Sequence, residues 1–122
     1  MFAMFNSPAM NLPADQVKVV PAKTIMDWME SGDAVIIDVR EVNEYVSGHI
    51  PGAHLNPLSS FDASKIPPLA DNQKLVIHCR SGNRCGMASA KLVASGYQGE
   101  INRMQGGIFA WYQSGGALEA GM

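Results

Sequence analysis

Two cysteines, Cys79 and Cys85, lie close together in a short segment of small and polar residues. Residues 74–77, just before it, form a mostly apolar run with β-branched side chains, which is typical of a buried strand. Residues 86–95, just after it, place apolar side chains at helical spacing and are followed by a glycine. Cys79 therefore follows a strand and precedes a helix, where backbone N–H groups and the helix dipole stabilise an anion.

The thiolate of Cys79 would be such an anion. We therefore expect the pKa of this cysteine to lie below its ordinary value, and the nearby side chains of Arg80 and Arg84 should lower it further. The thiolate is the nucleophilic form of cysteine. The segment thus predicts that Cys79 is a reactive nucleophile, capable of forming a covalent intermediate.

Short apolar strands and helical segments alternate along the rest of the chain. Strands are predicted at residues 17–20, 34–37, 53–57, 74–78 and 100–103. Helices are predicted at residues 21–30, 41–47, 86–95 and 107–115, with one further short helix in the connection 58–72. This alternation predicts an α/β fold, with a small, mostly parallel sheet of about five strands and helices on both faces.

Polar residues follow two of these predicted strands. Asp38 and Arg40 come after one strand, and Cys79 and Arg80 come after another. Parallel strands end at one edge of a sheet, so both clusters should meet there. We expect Asp38 and Arg40 to have a structural role, orienting the cysteine loop through hydrogen bonds or a salt bridge.

The composition is that of an ordinary globular domain. Of the 122 residues, 47% are hydrophobic and 16% are charged, and the net charge is −2. No Lys/Arg cluster predicts a nucleic-acid partner, and no apolar run is long enough to span a membrane. Two cysteines cannot form a disulfide framework, which favours a reducing, cytoplasmic location. Residues 1–16 are predicted to be an irregular extension and residues 17–118 the domain.

Three segments, in this order, resemble the signatures of the rhodanese-like sulfurtransferases. They are residues 38–53, residues 79–84 and residues 106–111, and the resemblance spans residues 17–116. It implies a rhodanese-like three-layer fold in which Cys79 is catalytic and no metal or organic cofactor is needed. It also implies a loop whose amides surround the reacting sulfur, formed by Arg80, Ser81, Gly82, Asn83, Arg84 and Cys85.

The resemblance also implies a reaction. The Cys79 thiolate would take a sulfane sulfur from a small donor such as thiosulfate, expel sulfite and become a persulfide. Cyanide or a thiol would then remove that sulfur, so ping-pong kinetics are expected. A partner protein's persulfide is an alternative donor, and a persulfide carrier or sensor module without small-molecule turnover is the alternative function.

A phosphatase or arsenate reductase is the rival enzyme class, because its loop also begins with a nucleophilic cysteine. Those enzymes place an arginine six positions after the cysteine, where it grips the oxyanion with two hydrogen bonds. Here that position holds Cys85, and Arg84 comes one residue early. The spacing therefore favours a loop sized for a single sulfur over one sized for a phosphate.

Several loop side chains admit two interpretations. Cys85, where the family often has Ser or Thr, is either a second thiol that attacks a Cys79 persulfide or a small buried hydrophobe beside Ala88 and Leu92. The second interpretation is favoured, because free cysteines are usually buried. Arg80 and Arg84 are either ligands for a donor's sulfonate oxygens or solvated charges. We expect at least one of them to be functional.

The three histidines are predicted to have no chemical role. His78 directly precedes Cys79 in a strand, so its side chain should point to the opposite face of the sheet, as a hydrogen-bonded interior residue. His49 lies in a turn rich in Gly and Pro and is predicted to pack there. The spacing of these residues with His54 and the cysteines does not support a zinc site.

Overall fold

A five-stranded parallel sheet forms the centre of the molecule. The computed structural model describes residues 12–122. The strands are β1 (Val17–Pro21), β2 (Ala34–Asp38), β3 (His54–Leu55), β4 (Lys74–His78) and β5 (Ile101–Gln105). Their order in the sheet is β1-β5-β4-β2-β3. The helices are α1 (Ala22–Glu30), α2 (Val42–Ser47), α3 (Asn83–Ala94) and α4 (Gly107–Gln113). The predicted α/β fold is confirmed.

Each face of the sheet is covered by helices, as the apolar strands predicted. Successive side chains of a strand point to opposite faces, so β2 and β4 contribute to two separate cores. Ile36 and Val76 pack under α1 and α4, whereas Ile37 and Ile77 pack under α3. Cys79 continues the second series, which places it on the α3 side.

The largest departure from the predicted elements concerns the start of α3. The sequence predicted a helix from Gly86, but α3 begins at Asn83 and includes Arg84 and Cys85. Gly82 makes this early start possible, because its φ of 113° reverses the chain in a region that favours glycine. The loop after Cys79 therefore consists of only the three residues 80–82.

Smaller departures occur at the ends of other elements. The connection 58–72 contains two short 3-10 helices, Leu58–Ser60 and Ala63–Lys65, where one short helix was predicted. Strand β3 is shorter than predicted, and β5 extends to Gln105 because it continues its pairing with β1.

A buried ion pair lies at the carboxyl edge of the sheet. Arg40 Nη2 is 2.8 Å from Asp38 Oδ2, and Arg40 Nε also donates to this carboxylate. Both side chains are almost fully excluded from solvent. Arg40 Nη2 also donates to the carbonyl of Gly48 at 2.8 Å, so the pair joins the end of β2 to the turn after α2.

His78 lies beside this ion pair, on the opposite face of the sheet from Cys79. His78 and Asp38 are register partners in neighbouring strands, and His78 Nε2 is 3.5 Å from Asp38 Oδ2. His78 Nδ1 pairs with the carbonyl of Cys79 at 3.2 Å. Nε2 has no hydrogen-bond partner within residues 12–122, so the prediction of a fully hydrogen-bonded histidine was wrong for this atom.

The start of α4 holds the cysteine loop in place. The amide of Ile108 donates to the carbonyl of Cys79 at 2.8 Å, and the amide of Phe109 donates to the carbonyl of Arg80 at 3.3 Å. Gly107 permits this approach: a Cβ atom there would lie 2.5 Å from the carbonyl oxygens of both Cys79 and Arg80. The third sequence signature therefore forms a backbone support for the second.

The chain beyond α4 returns to the turn after α2. His49 and Glu119 form an antiparallel bridge, and the buried His49 ring stacks on Tyr45 at 3.8 Å between centroids. Of the predicted extension 1–16, residues 1–11 lie outside the described residues and 12–16 are turn and irregular chain. None of the helices within residues 12–122 has the length and apolar character that crossing a membrane requires.

Breaking the buried ion pair should strongly destabilise the fold. Asp38→Asn leaves the Arg40 guanidinium buried without a counter-charge, which costs about 3–5 kcal/mol. We expect the urea midpoint to fall accordingly. Lys18→Met removes the exposed pair with Glu100 instead and should leave the midpoint almost unchanged. Equal effects of the two substitutions would contradict this account.

Gly107→Ala should destabilise more than a matched glycine substitution. Both Gly107 and Gly115 have positive φ, but a Cβ at Gly115 would meet no atom within 4 Å. Gly115→Ala thus incurs only the left-handed strain of about 1–2 kcal/mol. Gly107→Ala adds about 1–3 kcal/mol for overpacking against the loop carbonyls. Urea unfolding of both variants tests the difference, and indistinguishable midpoints would rule out a tight contact.

Candidate functional site

Cys79 lies at the carboxyl end of β4, with its sulfur enclosed by backbone amides. The amide of Gly82 donates to Cys79 Sγ at 3.1 Å, and the amides of Ser81 and Cys85 also face this sulfur. These N–H groups are available because they belong to the loop and the first turn of α3, where no intrahelical acceptor exists. The arrangement is an anion-binding site built around a thiol.

The surroundings of Cys79 favour its thiolate. The largest effect is a hydrogen bond from the Cys85 side chain, burial acts in the opposite direction, and the amides of Cys85, Gly82 and Ser81 lower the pKa further. Together they lower the pKa of Cys79 from 9.0 to about 5. Cys79 is therefore ionised at neutral pH. The sequence predicted the part of the amides and the helix N-terminus, but it did not predict the Cys85 hydrogen bond, and the predicted effect of Arg80 and Arg84 is not among the main causes.

Cys85 contacts polar groups as well as the core. Its side chain is buried in the cluster that contains Ala88 and Leu92, as predicted. However, its Sγ also lies 2.9 Å from the carbonyl oxygen of Gly82, so its single proton can be donated either to this oxygen or to Cys79. The hydrogen bond to Cys79 and burial raise the pKa of Cys85 well above its ordinary value, so this thiol stays protonated while Cys79 is ionised.

Arg103, on β5, approaches the loop from below α3. Arg103 Nη2 donates to the carbonyl of Gly82 at 3.0 Å, and Arg103 Nε lies 3.5 Å from Cys85 Sγ. Gly86 leaves room for the guanidinium, because a Cβ there would lie 3.0 Å from Arg103 Nη2. No sequence pattern indicated this contact, since Arg103 is distant along the chain and stands outside the three signatures.

The two loop arginines have different partners. Arg84 makes a two-pronged salt bridge with Glu44, at 2.7 Å and 2.9 Å, which lowers the pKa of Glu44 to about 2. Glu44 also accepts from the backbone N–H of Glu41, forming a capping box at the start of α2. Arg80 is exposed and has no ion-pair partner in the described part of the chain.

Two separate clefts border the cysteine loop. The front cleft, about 520 Å³, is lined by Arg80, Arg40 and the exposed side chains of Phe109 and Tyr112, among others. The back cleft, about 220 Å³, shares no residue with the first and is lined by Cys85, Arg103 and the small residues of the loop. The loop can thus be approached from two directions.

The predicted site residues come together only in part. Cys79, Ser81, Gly82 and Cys85 form the anion-binding site, and Arg80 lies at its front. Asn83 begins α3 and lines the back cleft. Asp38 and Arg40 join β2 to the turn after α2, with Arg40 also lining the front cleft.

Neither of the two buried histidines is positioned to act as a general base toward Cys79. His78 points away from the sulfur, as predicted, and burial lowers its pKa, which keeps the ring neutral. His49 Nδ1 pairs with the carbonyl of Tyr45, and Nε2 lies 3.2 Å from Glu119. The nucleophile is therefore activated by hydrogen bonds and the helix terminus.

The chain is similar in sequence to two proteins named as sulfurtransferases and to one uncharacterised protein. It is 37% identical over 91 residues to a sulfurtransferase of Allochromatium vinosum, covering 70% of this chain and 78% of that protein. It is 36% identical over 99 residues to an uncharacterised protein of Synechocystis, covering 81% of this chain and 54% of that protein. A probable adenylyltransferase/sulfurtransferase of Mycobacterium tuberculosis is 32% identical over 94 residues, and the match covers 75% of this chain but 24% of that protein.

Solved structures share the fold. The thiosulfate sulfurtransferase of Pseudomonas aeruginosa superimposes with a TM-score of 0.74 at 22% identity, over 87% of this chain and 21% of that one. A rhodanese-like domain protein of Staphylococcus aureus superimposes with a TM-score of 0.64 at 27% identity, over 86% of this chain and 99% of that one. The family model for the rhodanese-like domain matches residues 21–114. The chain belongs to the rhodanese-like domain family.

Proposed function

We propose that this protein is a sulfurtransferase that carries a sulfane sulfur as a persulfide on Cys79. The observation that carries the proposal is the amide enclosure of an ionised thiol, with Gly82 N–H 3.1 Å from Cys79 Sγ. Membership of the rhodanese-like family supports a role in sulfur transfer. The two free cysteines suit a reducing compartment such as the cytoplasm.

In the first half-reaction the Cys79 thiolate attacks the outer sulfur of thiosulfate. A new S–S bond forms at Cys79, the S–S bond of thiosulfate breaks, and sulfite leaves with the electron pair. Arg80 is the cation suited to hold the sulfonate oxygens, because it lines the front cleft and makes no ion pair within residues 12–122. The amides of the loop then stabilise the negative terminal sulfur of the persulfide.

In the second half-reaction an acceptor attacks that terminal sulfur. Cyanide or a thiolate forms a bond to it, and the Cys79 thiolate leaves. Cys79 is a good leaving group because its pKa is about 5. The same hydrogen bonds thus assist both steps: they keep the nucleophile ionised and stabilise it again when the sulfur departs.

The arrangement of Arg84 speaks against phosphatase or arsenate reductase chemistry. Its guanidinium is committed to Glu44 through two hydrogen bonds, so its donors are not free to grip a bound oxyanion. The loop between Cys79 and α3 is also only three residues long. Both features favour a single sulfur as the group that the loop holds.

A persulfide carrier that serves a partner protein is the second candidate function. The observation in its favour is the wall of the front cleft, where Phe109 is 60% exposed and Tyr112 is 65% exposed. Exposed aromatic side chains beside a reactive group are typical of protein interaction sites. Turnover with small donors separates the two candidates.

The pH dependence of the alkylation rate should reflect the lowered pKa of Cys79. The rate of labelling by iodoacetamide should be half-maximal near pH 5 and constant above that range, because the thiolate is the reactive form. An unperturbed thiol would titrate at about 8.5. Mass spectrometry of the labelled peptide gives the profile. A midpoint near the unperturbed value would exclude the proposed activation.

Turnover should depend on Cys79. Thiocyanate should form from thiosulfate and cyanide, and thiosulfate alone should release one equivalent of sulfite per Cys79. Both should vanish in Cys79→Ser, because a hydroxyl is not ionised at neutral pH. Absence of sulfite release by the reduced native protein would overturn the thiosulfate reaction, and release of sulfite without thiocyanate turnover would favour the carrier function.

A charge substitution tests Arg80 in the same assay. Arg80→Gln should lower kcat/KM for thiosulfate about 10- to 100-fold, mainly through KM, which corresponds to one charged hydrogen bond of about 1.5–3 kcal/mol. Lys91→Gln removes an exposed cation from the far end of α3 and should leave kcat/KM unchanged. Equal effects of the two substitutions would exclude a donor site at Arg80.

A further inference from the structure

The side chains of both cysteines of this domain lie within hydrogen-bond distance of the backbone of Gly82. Gly82 N–H donates to Cys79 Sγ at 3.1 Å, and Gly82 C=O accepts from Cys85 Sγ at 2.9 Å. The single proton of Cys85 can alternatively be donated to Cys79. Both sulfurs therefore belong to one compact cluster at the start of α3.

Arg103 places a positive charge beside Cys85, which a cysteine that only packs in the apolar core does not need. Its Nε lies 3.5 Å from Cys85 Sγ, and its Nη2 is anchored on Gly82 C=O at 3.0 Å. A guanidinium next to a thiol stabilises the thiolate form. The absence of a side chain at Gly86 leaves the space through which this guanidinium reaches the sulfur.

Loading a sulfur onto Cys79 changes the charge that Cys85 experiences. In the resting site the ionised Cys79 keeps Cys85 protonated, because two adjacent thiolates repel each other. In the persulfide the sulfur of Cys79 is a neutral bridging atom, and the negative charge moves outward to the terminal sulfur. Arg103 then remains beside Cys85, so ionisation of Cys85 costs less than in the resting site, while burial still opposes it.

We propose that Cys85 is a resolving thiol, which attacks the Cys79 persulfide, releases sulfide and leaves a Cys79–Cys85 disulfide. This inference rests on the proposed function, since it requires a persulfide on Cys79. It gives the domain a second activity, the reduction of a sulfane sulfur to sulfide. Arg103 is the positioning residue for Cys85.

The step is balanced without an external oxidant. The Cys85 sulfur forms a bond to Cys79 Sγ, the bond from Cys79 Sγ to the terminal sulfur breaks, and the terminal sulfur leaves as HS⁻ with the proton of Cys85. Two thiol sulfurs are oxidised to a disulfide, and the sulfane sulfur is reduced by two electrons. The amides that hold the terminal sulfur also stabilise the departing sulfide anion.

A dithiol reductant returns the site to its resting state. Exchange begins when a thiolate of the reductant attacks one sulfur of the disulfide. Cys85 lines the back cleft of about 220 Å³, which is separate from the front cleft beside Arg80. A donor at the front and a reductant at the back would therefore not compete for space.

Single-turnover chemistry tests the proposal. The reduced protein, freed of small thiols and kept without oxygen, is mixed with thiosulfate alone, and sulfite, sulfide and intact mass are followed. The native protein should release equal amounts of sulfite and sulfide and lose two hydrogens, with a disulfide between Cys79 and Cys85. Cys85→Ser keeps a hydrogen-bond donor but has no thiol, so it should release sulfite and retain the added sulfur.

Three outcomes of this experiment decide whether Cys85 is a resolving thiol. Sulfide release at least about tenfold faster from the native protein than from Cys85→Ser supports the resolving thiol. Equal persistence of the added sulfur in both proteins overturns it and leaves the persulfide function intact. No sulfite from either protein overturns the thiosulfate reaction proposed above. Protein without thiosulfate must stay reduced, which excludes oxidation by air as the source of the disulfide.

The substitution Arg103→Gln tests separately whether Arg103 promotes the ionisation of Cys85. Glutamine carries no charge, so the pH profile of sulfide release should move to higher pH while sulfite release persists. An unchanged profile would show that Arg103 does not promote the ionisation of Cys85.

Discussion

A negatively charged sulfur held out of water is the constraint on which this structure depends. A buried anion is unstable unless hydrogen-bond donors and positive charge converge on it. The domain meets this requirement with few charged side chains: the amides of residues 81, 82 and 85, the start of α3 and the Cys85 thiol provide it. Only glycine adopts the φ of 113° at position 82 without strain, so the short loop and the early helix start depend on one residue.

The remainder of the carboxyl edge keeps this loop in one conformation. The Asp38–Arg40 pair fixes the turn after β2, and the salt bridge between Glu44 and Arg84 joins α2 to α3. The amides at the start of α4 bind the loop carbonyls from the other side. Arginines near the nucleophile thus serve two purposes: Arg84 and Arg103 hold groups around the loop, whereas Arg80, which makes no ion pair within residues 12–122, faces the cleft.

The sequence predicted the features that depend on local pattern. The apolar runs predicted the parallel sheet and both helical layers, and the strand-to-helix junction predicted the direction in which the pKa of Cys79 is shifted. The features it missed depend on contacts between distant segments. Arg103 approaches Cys85 only because β5 lies beside β4 and Gly86 has no side chain. The charge of Arg84 is paired only because α2 places Glu44 next to it. The start of α3 was missed for a local reason, because the turn at Gly82 outweighed the apolar periodicity that begins at Gly86.

The order of the strands makes the cysteine loop depend on the C-terminal elements β5 and α4. β1 pairs with β5, and the cysteine loop receives hydrogen bonds from the amides of Ile108 and Phe109. A growing chain that has passed Cys79 but not yet formed α4 therefore lacks the contacts that hold the loop. The conformation of this loop is thus a property of the whole sheet with α4 in place, and the segment from β4 to α3 does not contain all of the groups that fix it.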